Sequence, residues 1–113
     1  MDCIFCRVVT GKIPSDIIYQ DEEVIAFRDI NPQTPVHLLV IPKTHIACLS
    51  DLGDEDTLLI GHMVKVANEL AKAEGISGIG YRLVINCGKQ GGQLVPHLHM
   101  HVLGGRQLSG YLG

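Results

Sequence analysis

The chain has no surplus of positive charge, because nine lysines and arginines stand against twelve aspartates and glutamates, for a net charge of −3. The basic residues are scattered from Arg7 to Arg106, so no stripe of them would follow a phosphate backbone. We therefore expect no nucleic-acid partner, although a small anionic ligand stays open.

Long hydrophobic runs are absent as well. No run approaches the ~20 residues of a membrane-spanning helix, and the start, Met1-Asp2-Cys3, has no basic stretch leading into an apolar one. We expect no membrane partner and a cytoplasmic location. With 113 residues, 46% of them hydrophobic, and no internal repeat, the composition predicts one domain over residues 1–113.

Cysteine is sparse, with residues at positions 3, 6, 48 and 87. In a reducing compartment, a close pair such as Cys3 and Cys6 indicates metal or redox chemistry before a structural disulfide. Cys48 and Cys87 are predicted to be ordinary buried thiols.

Hydrophobic periodicity predicts an α+β domain with a mainly antiparallel sheet of about five strands. Prolines and turn-forming residues separate the predicted elements. In order, these are a short helix over 3–10, a hairpin with strands at 17–19 and 24–27, a central strand over 37–42, a long helix ending near Glu74, a strand over 81–86 and a strand over 97–101.

The most informative stretch is His97-Leu98-His99-Met100-His101, in which three of the six histidines alternate with apolar residues. On a strand, this alternation places the imidazoles on one face and the apolar side chains against a core. A purely structural row of histidines and a site that only binds a metal ion both stay open. Adjacent imidazoles, whose ordinary pKa lies near neutral pH, nevertheless favour a functional site. A histidine nucleophile needs a neutral ring whose other nitrogen donates a hydrogen bond, and the middle residue, His99, suits this best. The preceding loop, with Gly91 and Gly92, could bring backbone N–H groups to a phosphate.

The stretch from Gly91 to Arg106 resembles the signature of the histidine triad (HIT) proteins, His-x-His-x-His bounded by apolar residues. The resemblance extends over Ile4-Phe5-Cys6, Gly11-Lys12-Ile13-Pro14 and residues 27–33 and 37–43, and Gly104-Gly105-Arg106 favours the branch called histidine triad nucleotide-binding proteins. It implies a HIT-like fold with a five-stranded sheet, one long helix and a short N-terminal helix. It also implies a homodimer in which the sheets of two copies join.

The activity that the resemblance implies is hydrolysis of purine nucleoside phosphoramidates, in which an amine is bonded to the phosphorus of a nucleotide such as AMP. The second histidine of the triad is the family's nucleophile. By that correspondence His99 forms a covalent nucleotidyl-histidine, while His101 and His37 contact phosphate or help proton transfer. No cofactor is required for this catalysis.

The resemblance also implies a nucleotide-binding set, for a purine ligand of the AMP type. Leu94 stands where some members carry a serine, which puts the leaving-group preference in doubt. For the four apolar residues at positions 4, 5, 8 and 27, a plain core role stays open. The set comprises Ile4, Phe5, Val8, Phe27, Asp29, Ile30, Asn86, Gly92, Gln93 and Leu94.

A metal site is a further possibility. Cys3-x-x-Cys6 with two separate histidines supplies the ligand types of tetrahedral zinc. Similarity to zinc-bearing relatives assigns the other two ligands to His45 and His97. Four protein ligands would make the metal structural; the alternative is a free cysteine pair on a short helix.

Two other functions stay open at this point. One is hydrolysis of dinucleoside polyphosphates by the same nucleophile, in a branch that typically lacks the Gly104-Gly105-Arg106 ending. The other is a nucleotide-binding or scaffold protein in which turnover is incidental.

Overall fold

The computed structural model describes residues 3–113. It contains two α-helices and five β-strands, with two short 3-10 turns, Leu49–Asp51 and Asp54–Asp56, before the second helix. The elements are α1 (Ile4–Val9), β1 (Ile17–Gln20), β2 (Val24–Arg28), β3 (Val36–Pro42), α2 (Thr57–Ala73), β4 (Tyr81–Val84) and β5 (Met100–Gly104).

The five strands form one antiparallel sheet in the order β1-β2-β3-β5-β4. The predicted α+β class, the hairpin and the central position of the apolar strand are confirmed. β4 ends at Val84 rather than at the predicted Asn86. None of the described helices is long and apolar enough to cross a membrane.

The two faces of the sheet carry different layers. On one face, α2 buries an apolar stripe against alternate residues of β3 and β5, which form the larger core. On the other face, α1 contributes Phe5 and Val8 to a smaller apolar cluster with β2 and β3. Alternation along β3 separates the two: Leu38 and Val40 face α2, whereas Leu39 and Ile41 face α1.

The predicted histidine strand is only partly correct, because β5 begins at Met100. Ladder pairing between β3 and β5 ends at Val40 and Met100, and two residues later β3 reaches Pro42, which has no N–H to continue it. The Leu98 N–H instead donates to the Ile46 carbonyl at 2.6 Å. Side chains still alternate between the two faces in the segment before β5, although it has no ladder pairing. Leu98 packs in the core under α2, and His97 and His99 face the opposite side, against Phe5.

Candidate active site

A cavity of about 470 Å³ opens on the face of the sheet opposite α2. It is bounded by α1, β2 and the loop after it, β3, and the loop between β4 and β5. Three histidines lie in its wall: His37 from β3, His101 from β5, and His99 from the segment before β5. The fold thus gathers the three predicted catalytic residues around one space.

His99 is fixed in one tautomer by its own segment. Its ring Nδ1 lies 2.7 Å from the carbonyl oxygen of His97, and a carbonyl can only accept, so Nδ1 carries the hydrogen. The ring is buried and forms a T-shaped pair with the Phe5 ring at a centroid distance of 5.2 Å. Nε2 is therefore the nitrogen that holds the lone pair in the neutral ring, and it has no hydrogen-bond partner among residues 3–113.

A second chain of contacts fixes His37 and His101. The backbone N–H of Gln33 donates to His37 Nδ1 at 2.9 Å, which places the hydrogen of His37 on Nε2. That Nε2–H lies 2.8 Å from His101 Nδ1 and 3.3 Å from the Asp29 carboxylate. His101 Nδ1 is therefore an acceptor, and its hydrogen is on Nε2.

Burial keeps these rings neutral at pH 7. It lowers the pKa of His101 to about 4, helped by the nearby imidazoles of His99 and His37 and opposed by the Asp29 carboxylate. It also lowers the pKa of His37, again against Asp29. Neutral neighbours leave His99 without an adjacent positive charge from either ring, and in its Nδ1–H form it can attack an electrophile through Nε2.

The predicted nucleotide-binding residues line this cavity, with the exception of Gln93. The Gln93 amide nitrogen donates to the carbonyl oxygens of Ala47 and Val95, and its amide oxygen accepts from the Gly88 N–H. These bonds hold the loop between β4 and β5 to the segment after β3. Gln93 thus positions the loop that carries Gly92, and its side chain does not face the cavity.

The structure adds residues that sequence reasoning missed. Leu39 lines the cavity from β3, and Asn31 and Gln33 line it from the loop after β2. The one available signal for Gln33 was its place four residues before His37 in a turn-forming stretch, where a backbone N–H can reach back to a side chain.

The four predicted metal ligands also converge. The Cys3 and Cys6 sulfurs and the Nδ1 atoms of His45 and His97 all lie within 4.8 Å of one another. His97 is fully buried, and its Nε2–H donates to the Pro42 carbonyl at 2.9 Å, which leaves the Nδ1 lone pair directed at the cysteines. These residues therefore form a group that could hold a metal ion.

Comparison with known proteins identifies the same family from several directions. The family model of the HIT domain matches residues 10–108. The purine nucleoside phosphoramidase of Escherichia coli K12 is 49% identical over 107 residues, which cover 95% of this chain and 90% of that protein. A HIT family hydrolase of Legionella pneumophila is 49% identical, with a TM-score of 0.95 over 96% of this chain and 97% of that one.

A zinc-bound histidine triad family protein of Mycobacterium smegmatis is more distant, at 38% identity and a TM-score of 0.81, covering 94% of this chain and 76% of that one. The family match spans most of the sequence, and the two 49% identical relatives cover nearly all of it. The chain therefore belongs to the HIT domain family.

Proposed function

We propose that this chain hydrolyses purine nucleoside phosphoramidates through a covalent nucleotidyl-His99 intermediate. The observation that carries the proposal is the geometry of His99, which lies in the cavity wall with Nδ1–H held by the His97 carbonyl and with Nε2 left without a partner among residues 3–113. The 49% identity to a purine nucleoside phosphoramidase supports this substrate class, as does the Gly104-Gly105-Arg106 ending.

The first step transfers the nucleotidyl group. The Nε2 lone pair of His99 forms a bond to phosphorus while the bond between phosphorus and the amine nitrogen breaks. The electron pair of the broken bond leaves with the amine, which takes up a proton from solvent. The phosphorylated ring then carries a positive charge, and the bond from Nδ1–H to the His97 carbonyl stabilises it. Water next attacks phosphorus and loses a proton, the P–Nε2 bond breaks, and neutral His99 and AMP are restored.

His101 supplies a hydrogen bond to the phosphoryl group. With a pKa of about 4 it is neutral at pH 7, and because Nδ1 accepts from His37, the N–H on Nε2 is free to donate to a phosphoryl oxygen. Arg28 is a cation in the cavity wall, but its guanidinium lies 2.7 Å from Glu74. We therefore assign the stabilisation of developing charge to neutral N–H donors, foremost the Nε2–H of His101.

The rest of the cavity suits a nucleoside. Phe5, Val8 and Phe27 provide buried apolar surface, and Ile4 and Ile30 are exposed beside it, as expected for the walls around a purine. Asp29 Oδ1 accepts from the Asn31 N–H, and Asp29 Oδ2 lies 3.3 Å from His37 Nε2, so both oxygens keep lone pairs for a ribose hydroxyl. Asn86, Gly92 and the exposed Leu94 would border the phosphate and the leaving amine.

The second group of histidines and cysteines fits structural zinc. In a tetrahedral site with bonds of about 2.0–2.3 Å, neighbouring ligand atoms lie about 3.3–3.8 Å apart. Here His97 Nδ1 lies 3.4 Å from Cys3 Sγ and 3.6 Å from Cys6 Sγ, and His45 Nδ1 lies 3.2 Å from His97 Nδ1 and 3.3 Å from Cys6 Sγ. With all four positions taken by protein, the metal would tie α1 to the segments before β5 and after β3, and it would take no part in the reaction.

We further propose that the chain acts as a homodimer in the cytoplasm. β4 is an edge strand with half-buried side chains, so its backbone groups are available to a strand of a second copy. The four cysteines are unpaired, which suits a reducing compartment. Sedimentation of the purified protein tests the dimer directly: a monomer at all accessible concentrations would contradict it.

The function is tested by offering adenosine 5′-phosphoramidate and diadenosine tetraphosphate to the wild type, His99→Ala and His62→Gln, with nucleotide chromatography as the readout. We expect AMP from the amidate with wild type and His62→Gln, whose ring bonds Asp21 away from the cavity, and a loss of about 10⁴-fold or more in His99→Ala.

Preferential cleavage of the tetraphosphate would instead assign the protein to the polyphosphate-cleaving branch. Retention of nucleotide with no turnover of either compound would identify a binding module. Full activity in His99→Ala would exclude the covalent mechanism.

A further inference from the structure

Two thiols outside both sites lie together beside the loop between β4 and β5. Cys48 precedes the first 3-10 turn, and Cys87 follows the cavity residue Asn86. Both cysteines are half-buried, so the prediction that they are ordinary buried thiols is wrong. Their side chains face neither the histidine cavity nor the group formed by Cys3 and Cys6.

Ser50 brings the two cysteines close in space. It follows Cys48 by two residues, and its hydroxyl lies 3.2 Å from Cys87 Sγ. Cys48 and Cys87 are near enough for each thiol to shift the pKa of the other. The fold has therefore brought together two cysteines that are far apart in the sequence.

The two thiols differ in their chemistry. Hydrogen bonds from the Ser50 hydroxyl and backbone favour the thiolate and lower the pKa of Cys87. Although the Ser50 N–H also acts on Cys48, burial, the partner thiol and the Asp51 carboxylate outweigh it and raise the pKa of Cys48. Cys87 is therefore the attacking thiol, and Cys48 resolves the product.

We propose that Cys48 and Cys87 form a redox-modification site, a thiol pair that a low-molecular-weight disulfide such as oxidised glutathione converts into an intramolecular disulfide. The Cys87 thiolate attacks one glutathione sulfur, so a mixed disulfide forms and one glutathione thiolate leaves and takes up a proton. The Cys48 thiolate then attacks the Cys87 sulfur and displaces the second glutathione. The pair loses two electrons and two protons, and the oxidised glutathione gains them as two thiols.

The disulfide would act on a loop that noncovalent contacts hold to the segment after β3. The Gln93 amide holds this loop to the Ala47 carbonyl, one residue from Cys48, and Ser50 holds it at Cys87. A covalent bond would make that attachment permanent beside Asn86 and Gly92, which line the cavity. The inference does not rest on the proposed hydrolase activity, because its test measures thiols alone.

The test incubates the native protein, with its metal content as isolated, in oxidised glutathione, then blocks free thiols by alkylation and maps peptides by mass spectrometry. We expect a peptide pair joined between Cys48 and Cys87, two hydrogen atoms lighter than the reduced pair and regenerated by a reducing thiol. In Cys48→Ser, which lacks the resolving thiol, Cys87 should accumulate as the glutathione mixed disulfide. In Cys87→Ser, the linked pair and the mixed disulfide at Cys48 should both be lost.

Ser50→Ala is the matched variant, because it removes the hydroxyl next to Cys87 and retains both thiols; it should slow the reaction of Cys87. A wild-type protein in which Cys48 and Cys87 stay fully alkylated, whether or not Cys3 and Cys6 oxidise, would overturn the proposal. So would a wild-type mixed disulfide at Cys87 that never passes to Cys48.

Discussion

The two faces of the sheet are made from alternate residues of the same strands, yet they differ in cover and in chemistry. Under α2, Leu38, Met63 and Val102 are fully buried among apolar neighbours. On the opposite face, the six-residue α1 covers only part of the sheet, and His37 and His101 line an open cavity. The face with the larger helix provides the stability, and the less covered face holds the polar groups that chemistry needs.

Neighbouring residues on β3 provide the sharpest way to separate the two faces. Leu38→Ala should lower the free energy of unfolding by about 2–5 kcal/mol through the cavity left under α2, while the folded fraction keeps its turnover. His37→Gln should lower the free energy of unfolding by less than about 1.5 kcal/mol. It should reduce turnover about 10- to 100-fold, because it removes the Nδ1 acceptor for the Gln33 N–H, and that hydrogen bond orients the His37 ring towards His101.

Urea unfolding and turnover per folded molecule measure both effects. The comparison fails if Leu38→Ala abolishes turnover while still folded, or if His37→Gln is the more destabilised variant.

Removal of a bound metal should lower the stability of the less covered face, because the four ligands attach α1 to that face. The comparison is between protein in free zinc at about 100 to 1,000 times its Kd and protein from which a chelator has removed the metal. If zinc binds the four converging ligands, its removal should lower the free energy of unfolding by about 3–4 kcal/mol. Cys6→Ser should reproduce this loss and bind little zinc, whereas Cys48→Ser, measured under reducing conditions, should bind a full equivalent. Unfolding curves that are identical with and without zinc would contradict a structural metal.

The pH dependence of stability is expected to come from the histidine face. The pKa of His101 is about 4 in the folded chain against an ordinary value near 6.5, so the unfolded chain binds more protons between these values. Stability should therefore be fully present above pH 6.5 and decline as the pH falls towards 4. His101→Asn should reduce the slope of the free energy of unfolding against pH by the equivalent of up to one bound proton, as measured by unfolding at a series of pH values. A slope unchanged by the substitution would mean that His101 is not the group that titrates.

Sequence patterns predicted the two faces unequally. The apolar run of β3 and the alternation through Leu98 and Met100 were sufficient to predict a central strand and the core under α2, because burial follows from local periodicity. The roles of His37, His45 and Asp29 came only from the family resemblance, since nothing in local sequence indicates which distant side chains meet.

The remaining differences have specific physical causes. Gln93 was predicted to bind the nucleotide, but its side-chain amide donates to the carbonyl of Ala47, a distant residue that no local pattern connects to it. The histidine strand was predicted to begin at His97, but Pro42 on its neighbour cannot extend the ladder. The meeting of Cys48 and Cys87 through Ser50 is also a tertiary contact, without a local signature.

Trapping the intermediate tests the central claim most directly. Wild-type protein mixed with adenosine 5′-phosphoramidate for a fraction of one turnover, then quenched in alkali to preserve N–P bonds, should yield a peptide with one adenylyl group on His99. The adduct should form and decay as fast as AMP is released, and it should be absent from His99→Ala. An adenylyl group on another residue, or rapid AMP release with no adduct at His99, would contradict the account.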